Sequence, residues 1–300
     1  MLRRSIFRLL ACFALAAAVS SCGGGETAGW TDDGRLSPPT SQTPVKAGTI
    51  PRTPPPQVFG QSAIVIDAYS GRVLYAKNAD SVRPVASTQK IVTALAVISA
   101  GNVNKTVTIQ KSDTMCEPTK LYVRPGETYS RVDLMRALMV KSGNDVARAL
   151  ARDVGGSQEG FAALMNRKAR SLGMRQSNFI NPNGLPAKGQ YSTARDIAIA
   201  ARAAYRVPLI RSWSRIKSYD FQFSNGRTKR LKNTNKLLER VPYCDGMKTG
   251  TTNAAGRCLV STGTLNGRSA IVVVLKSNSA NIWNDSERLL RWALERPGAE

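Results

Sequence analysis

The chain contains no histidine. That absence removes Ser-His-Asp and Cys-His nucleophile systems and any His-ligated metal site. An activated nucleophile here must take its base from Lys, Asp, Glu or Tyr. Aromatic residues are few, at 6%, and no nucleic-acid motif is present, so nucleic acid is not an expected partner. Acidic residues are scarce as well: 20 Asp and Glu stand against 43 Lys and Arg, a formal charge of +23. The basic residues are scattered, which suits a solvated surface facing an anionic cell envelope. The five cysteines do not show zinc-site spacing, and neither a metal nor another cofactor is expected.

What is present begins with a leader. Met1 to Arg8 is basic and Leu9 to Val19 is apolar. That run is too short to cross a membrane and has the form of a secretory signal. It ends in Val19-Ser20-Ser21-Cys22, which resembles a bacterial lipobox. The resemblance implies that residues 1–21 are cleaved and the Cys22 sulfur is lipidated, anchoring the protein to a membrane on its periplasmic side. Ordinary signal cleavage, with Cys22 incidental, is the competing reading. Loss of Arg3, Arg4 and Arg8 with the leader reduces the charge to +20. Residues 22–58 are rich in Gly, Ser, Thr and Pro and read as a flexible tether. The folded domain then takes residues 59–300.

Within it, Ser62 to Asp67 and Val73 to Ala76 predict a hairpin around a turn-like Ala68-Tyr69-Ser70-Gly71. A buried helix is expected from near Ser87 through the charge-free run Ile91 to Ile98. Thr106 to Ile109 reads as a strand and Ser112 to Thr128 mostly as loop. Helices are expected over Arg131 to Val140, Asp145 to Asp153, Ser157 to Leu172 and Thr193 to Tyr205, the last capped by Ser192 or Thr193. Strands return at Ser218 to Ser224, Arg257 to Gly263 and Ser269 to Lys276, the last two joined through Asn266-Gly267. A helix from about Asn284 to Glu295 closes the chain. The expected fold is α+β: an antiparallel sheet from both ends of the domain, flanked by helices, with an all-helical lobe between.

Ser87 and Lys90, three apart, share a helix face, and a lysine can serve a serine nucleophile as base. Taken alone, the pair is equally a plain N-cap beside a solvated lysine. Ser214-Arg215-Ile216-Lys217 has the same spacing without an apolar helix after it. Two further motifs complete a set: Ser142-Gly143-Asn144 between two helices and Lys248-Thr249-Gly250 opening the last strand region. Alone, Asn144 reads as a helix cap and Lys248 as a solvated strand residue.

In this order and context the motifs resemble the serine D-alanyl-D-alanine carboxypeptidases, the low-molecular-mass penicillin-binding proteins. The resemblance runs from about Phe59 to Trp292 and includes Asn181-Pro182-Asn183-Gly184-Leu185, Tyr191-Ser192-Thr193-Ala194-Arg195-Asp196 and Asn233-Thr234-Asn235-Lys236-Leu237-Leu238. It implies a β-lactamase/DD-peptidase-like fold and an acyl-enzyme on Ser87. Lys90 would act as base and Ser142 as proton relay. Asn144, Lys248, Thr249 and Gly250 would bind substrate, and the backbone N–H groups of Ser87 and Thr251 would form the oxyanion hole. Peptidoglycan stem peptides become the expected substrate and β-lactams the expected covalent inhibitors. A DD-endopeptidase, a serine β-lactamase and an inactive wall-binding protein are the alternatives. Against the β-lactamase, Glu159 is followed by Gly160-Phe161-Ala162-Ala163, not by a Glu-x-x-Leu-Asn pattern. Relatives often carry His at the positions of Asn183 and Thr251. Where many carry a late basic residue, this chain has Ser277, next to Lys276. Of the cysteines outside the leader, Cys116, Cys244 and Cys258 remain after Cys22, and a Cys244–Cys258 pair is conceivable without being legible.

Overall fold

The structure is a computed structural model that describes residues 53–295. The signal, Cys22 and most of the tether lie outside the described residues. All described residues belong to one unit, Pro39–Glu300.

In chain order the elements are β1 (Ser62–Asp67), β2 (Val73–Lys77), α1 (Lys90–Ser99), β3 (Thr106–Thr108), α2 (Lys111–Thr114), β4 (Thr128–Ser130), α3 (Arg131–Lys141), α4 (Asn144–Gly155), α5 (Gln158–Ser171), α6 (Ala194–Tyr205), α7 (Pro208–Ser214), β5 (Ser218–Gln222), β6 (Thr228–Lys232), α8 (Leu237–Arg240), β7 (Cys244–Thr252), β8 (Gly256–Leu265), β9 (Arg268–Ser277) and α9 (Ile282–Glu295). The main sheet is antiparallel with strand order β2-β1-β9-β8-β7. As expected, both ends of the domain build it, with Ser62 opposite Leu275 and Asp67 opposite Ala270. The Asn266-Gly267 turn joins β8 and β9 with positive φ at both residues.

The sheet separates two cores. Alternation sends Ile64, Ile66, Ile271, Val273 and Leu275 into the core beneath the helical lobe. Ala63, Val65, Ala270, Val272 and Val274 enter the other core, against α9. Ala63–Ile66 of β1 and Ala270–Leu275 of β9 are therefore apolar at every position. Nine of the ten residues of α1 are buried, which accounts for the absence of charge from Ile91 to Ile98. Its β-branched Ile91, Val92, Thr93, Val97 and Ile98 are mediocre helix formers, costing up to ~0.7 kcal/mol each. Burying an Ile or Val side chain contributes about 1.5–3 kcal/mol, so packing decides the conformation.

Several details depart from expectation. Ser87 precedes the α-helix: Ala86–Gln89 form a 3-10 turn, entered at Ala86 with φ +49°, and α1 starts at Lys90. β5 does not join the main sheet but pairs with β6 in a separate hairpin. The short α2, α7 and α8 were not legible as helices. Residues 53–58, expected in the tether, contact the last helix: Trp292 Nε1 donates to Thr53 O at 2.8 Å, and Val58 is buried. Cys116, Cys244 and Cys258 are free thiols. Cys244 faces Gly263 and Cys258 faces Gly250, six residues along the same ladder, roughly 20 Å apart and beyond disulfide reach.

Candidate active site

Lys90 is fully buried where the 3-10 turn becomes α1. Its Nζ lies 2.8 Å from Ser87 Oγ, 2.7 Å from Asn144 Oδ1 and 2.7 Å from the carbonyl oxygen of Asn183. Two of these acceptors are fixed by their own bonds. Asn144 Nδ2 donates to Glu117 O at 2.8 Å, which turns Oδ1 toward Lys90. Asn183 Nδ2 donates to Asn144 O at 2.7 Å, which holds the Asn183 backbone in place.

The segment 181–184 is strapped to the 3-10 turn and to α1. Gln89 Nε2 donates to Asn181 O at 2.5 Å and Thr93 Oγ1 to Pro182 O at 2.8 Å. Asn181 Oδ1 accepts from the N–H groups of Asn183 and Gly184 at 3.1 and 2.9 Å, closing a local turn. Gly184 has φ +84°, and a Cβ there would lie 2.1 Å from Ala86 O and 2.8 Å from Ser87 N. The close approach of this turn to the 3-10 turn sets the height of Ser87.

From the other side comes β7, an edge strand of the main sheet. A Cβ on Gly250 would lie 2.9 Å from both Ser87 N and Thr88 N. Gly250 is expected from the sequence to bind substrate; the tighter constraint on it is the backbone of Ser87 and Thr88. Lys248 is buried two residues earlier, and its Nζ donates to Thr249 O at 3.1 Å. Burial lowers its pKa from 10.5 to about 7. Burial also lowers the pKa of Lys90 well below 10.5, and the charge of Lys248 adds to the effect. Asn144 opens α4, and Ser142, in a left-handed conformation with φ +65°, ends α3.

These elements enclose a cleft of about 480 Å³. Ser87, Ser142, Asn144, Thr249, Gly250 and Thr251 line it, while Lys90 and Lys248 sit buried behind its wall. The structure thus brings every predicted catalytic and substrate-binding residue to one place. Ser214 is elsewhere, its Oγ donating to Ile210 O at 2.8 Å. Lys276 is not in the cleft; its Nζ donates to Ala254 O at 2.6 Å. Glu159 lies in the first turn of α5, capped by Ser157, and among the described residues no carboxylate lines the cleft.

Three participants escaped sequence reasoning. The Asn183 carbonyl acts through the backbone and leaves no side-chain signal beyond its Asn-Pro-Asn-Gly turn. Thr234 accepts from Thr249 Oγ1 at 2.7 Å, across a gap of fifteen residues. Arg257 lines the cleft from β8, opposite both Thr251 and Ser277 in register.

A buried lysine held at about 7 carries a stability cost. Above pH 10.5 both folded and unfolded forms are neutral. As pH falls, the unfolded chain takes up the proton first, so stability is lost from about 10.5 down to 7 and is level below. Lys248→Met is therefore expected to stabilise the fold by a few kcal/mol at pH 6, and by much less at pH 10. Thermal unfolding of both proteins at the two pH values checks this; an equal gain at both would refute it.

A family model described as D-alanyl-D-alanine carboxypeptidase matches residues 49–279. The chain is 37% identical over 251 residues to D-alanyl-D-alanine carboxypeptidase DacC of Escherichia coli, covering 79% of this chain and 62% of that protein. It is 33% identical over 261 residues to a D-alanyl-D-alanine endopeptidase of Pseudomonas aeruginosa, covering 82% and 83%. It also matches the crystal structure of a D-alanyl-D-alanine carboxypeptidase from Mycobacterium tuberculosis with TM-score 0.76 and 32% identity, over 81% of this chain and 94% of that one. With its motif residues gathered in a single cleft and a family match across most of its length, the chain belongs to the D-alanyl-D-alanine carboxypeptidase family.

Proposed function

We propose that the protein is a serine D-Ala-D-Ala carboxypeptidase that trims peptidoglycan stem peptides through an acyl-enzyme on Ser87. The observation that carries this reading is the 2.8 Å contact between Ser87 Oγ and a fully buried Lys90 whose proton is destabilised. Neutral Lys90 takes the hydroxyl proton as Ser87 Oγ bonds to the carbonyl carbon between the two D-alanines. The backbone N–H groups of Ser87 and Thr251 receive the developing oxyanion. The carbon–nitrogen bond then breaks, and the proton passes through Lys90 and Ser142 to the departing D-alanine amine. Water then gives a proton to Lys90 as its oxygen bonds to the acyl carbon, and the ester bond breaks as Lys90 returns that proton to Ser87 Oγ.

Asn144 bonds the peptide amide of the stem, with its Oδ1 shared with Lys90. Thr249 meets the terminal carboxylate, Lys248 supplies positive charge from behind, and the peptide lies along the free edge of β7 next to Gly250. β-Lactams would acylate Ser87 in the same geometry. Lipidated Cys22 would hold the enzyme on the periplasmic side of the envelope.

The absence of a carboxylate in the cleft, among the described residues, disfavours rapid β-lactam hydrolysis. Cleavage of cross-links is the second reading, supported by the likeness to an endopeptidase. The test is D-alanine release from a stem peptide ending in D-Ala-D-Ala, with Ser87→Ala as control. Release by the wild type alone is expected. Release by neither, with cleavage of cross-linked peptidoglycan, would favour the endopeptidase; rapid penicillin turnover would favour the β-lactamase.

A further inference from the structure

We propose that a basic depression behind the rim of the cleft is a second binding site, an exosite for carboxylates of the peptidoglycan that lie outside the cleft; the identity of that polymer rests on the peptidase reading above. The depression measures about 410 Å³, and Lys120, Tyr122, Arg124, Asp145 and Arg227 are in its lining. Lys229 joins them from β6, its Nζ 5.7 Å from the centre of the Tyr122 ring. Four cations from two separate stretches of chain thus surround one exposed aromatic ring. Arg124, Arg227 and Lys229 are exposed and Lys120 is half-buried. Lys120 Nζ donates to Thr114 O at 2.9 Å, and the Arg227 guanidinium carbon stands 4.0 Å from the centre of the Phe223 ring. Among the described residues no ion pair joins any of the four to a carboxylate.

The carboxylates nearby are occupied by other donors. Asp145 is fully buried and accepts from the N–H groups of Leu121, Tyr122 and Val146 at 2.9, 2.7 and 2.9 Å. Glu127 Oε2 accepts from Arg124 N at 2.8 Å and Tyr129 Oη at 2.6 Å. The four cations therefore repel one another without a counter-charge, and a bound anion removes that cost. Their supports are fixed. Tyr122 has φ +68°, a conformation bulky residues rarely adopt, and the Asp145 bond to its N–H holds it there. The turn carrying Arg227 is pinned to β4: Thr128 N donates to Ser224 Oγ and Ser224 Oγ to Thr128 O, both at 3.2 Å. One segment also walls both sites. Pro118 and Thr119 line the cleft, Lys120 and Tyr122 line the depression, and Asn144 N donates to Thr119 O at 2.7 Å. A polymer with one peptide end in the cleft passes close to this segment and brings its other carboxylates to the cations. Lipid phosphates would offer similar charge, but the wall shared with the cleft favours the substrate polymer.

The experiment measures co-sedimentation of the full chain with purified peptidoglycan sacculi. The chain carries Ser87→Ala, so that the polymer is not consumed, and Cys22→Ser, so that no lipid contributes. Arg124→Gln/Arg227→Gln/Lys229→Gln is compared with Arg167→Gln/Arg170→Gln/Arg175→Gln, which removes the same charge from exposed positions in and just after α5. Loss of three exposed charge contacts predicts binding about 3- to 100-fold weaker in the first variant, with the second unchanged. Sacculi whose carboxylates are blocked as amides should bind the parent chain as weakly as free sacculi bind the first variant. Added salt should weaken the parent chain's binding. With Ser87 intact, kcat/KM on a short peptide ending in D-Ala-D-Ala should match wild type in both triple variants. Equal weakening by the two variants would show a general charge effect and overturn the inference. Undiminished binding by the first variant would overturn it too, as would a loss seen only with phosphatidylglycerol vesicles. A wild type inactive on the short peptide would remove the peptidase reading, while selective loss of sacculus binding would still identify the exosite.

Discussion

Acylation of Ser87 is expected to fall about 10²- to 10⁴-fold in Lys90→Met, the range for loss of a positioned general base. No histidine exists to stand in, and Lys248 does not lie within the bonds that reach Ser87 Oγ. The pH dependence follows with a definite sign. Lys90 works as the neutral amine, so the acylation rate rises with pH through its pKa and levels off above. Because burial and Lys248 hold that pKa well below 10.5, the rise should be complete far below the range of a free lysine. In Lys248→Met the second charge is gone, so the rise should move to higher pH. The measurement is the rate of covalent labelling by a penicillin across pH, with thermal unfolding as the check on folding. Normal labelling by Lys90→Met would exclude the Ser-Lys mechanism.

The second large effect comes from a residue with no side chain. Gly184→Ala should destabilise the protein by roughly 3–5 kcal/mol and slow Ser87 labelling more than tenfold. The added methyl would stand 2.1 Å from the Ala86 carbonyl, at a residue with φ +84°. Neither the strapped 181–184 turn nor the 3-10 turn can yield without moving Ser87 from Lys90. Gly226→Ala separates the causes: φ there is +82°, but the space is open. It should cost only the left-handed backbone penalty, about 1–2 kcal/mol, with labelling unchanged. Equal labelling rates in the two variants would show that the 181–184 turn does not set the nucleophile's position.

Much of this was legible before folding because it is written in local periodicity. The β1–β2 and β8–β9 hairpins follow from short apolar runs joined by turn residues, and α6 from its Thr193 cap, whose side chain accepts from Asp196 N. The charge-free run from Ile91 to Ile98 announced the burial of α1. The motif residues Ser87, Lys90, Ser142, Asn144, Lys248, Thr249 and Gly250 were readable through the resemblance that their order and context carry, and Thr251 only through what that resemblance implies for its backbone. The 3-10 turn was not, since a positive φ at Ala86 is imposed by neighbours and not by alanine itself. Alternation made β5 a strand but could not name its partner, and β6 claimed it.

The sequence by itself therefore determined which groups are available for the proposed chemistry, a serine and lysines with no histidine, and the class of fold that presents them. Tertiary structure alone decided what makes the lysines useful and which groups surround them. Depressed lysine pKa values come from exclusion of water and from two amines folded close together, which no local pattern encodes. The Asn183 carbonyl at Lys90, the Thr234–Thr249 bond and the Arg257 guanidinium beside Thr251 are contacts between segments distant in the chain or across a strand pair. Sequence spacing along one helix or strand is fixed by backbone geometry; spacing between elements is fixed only when their buried faces pack.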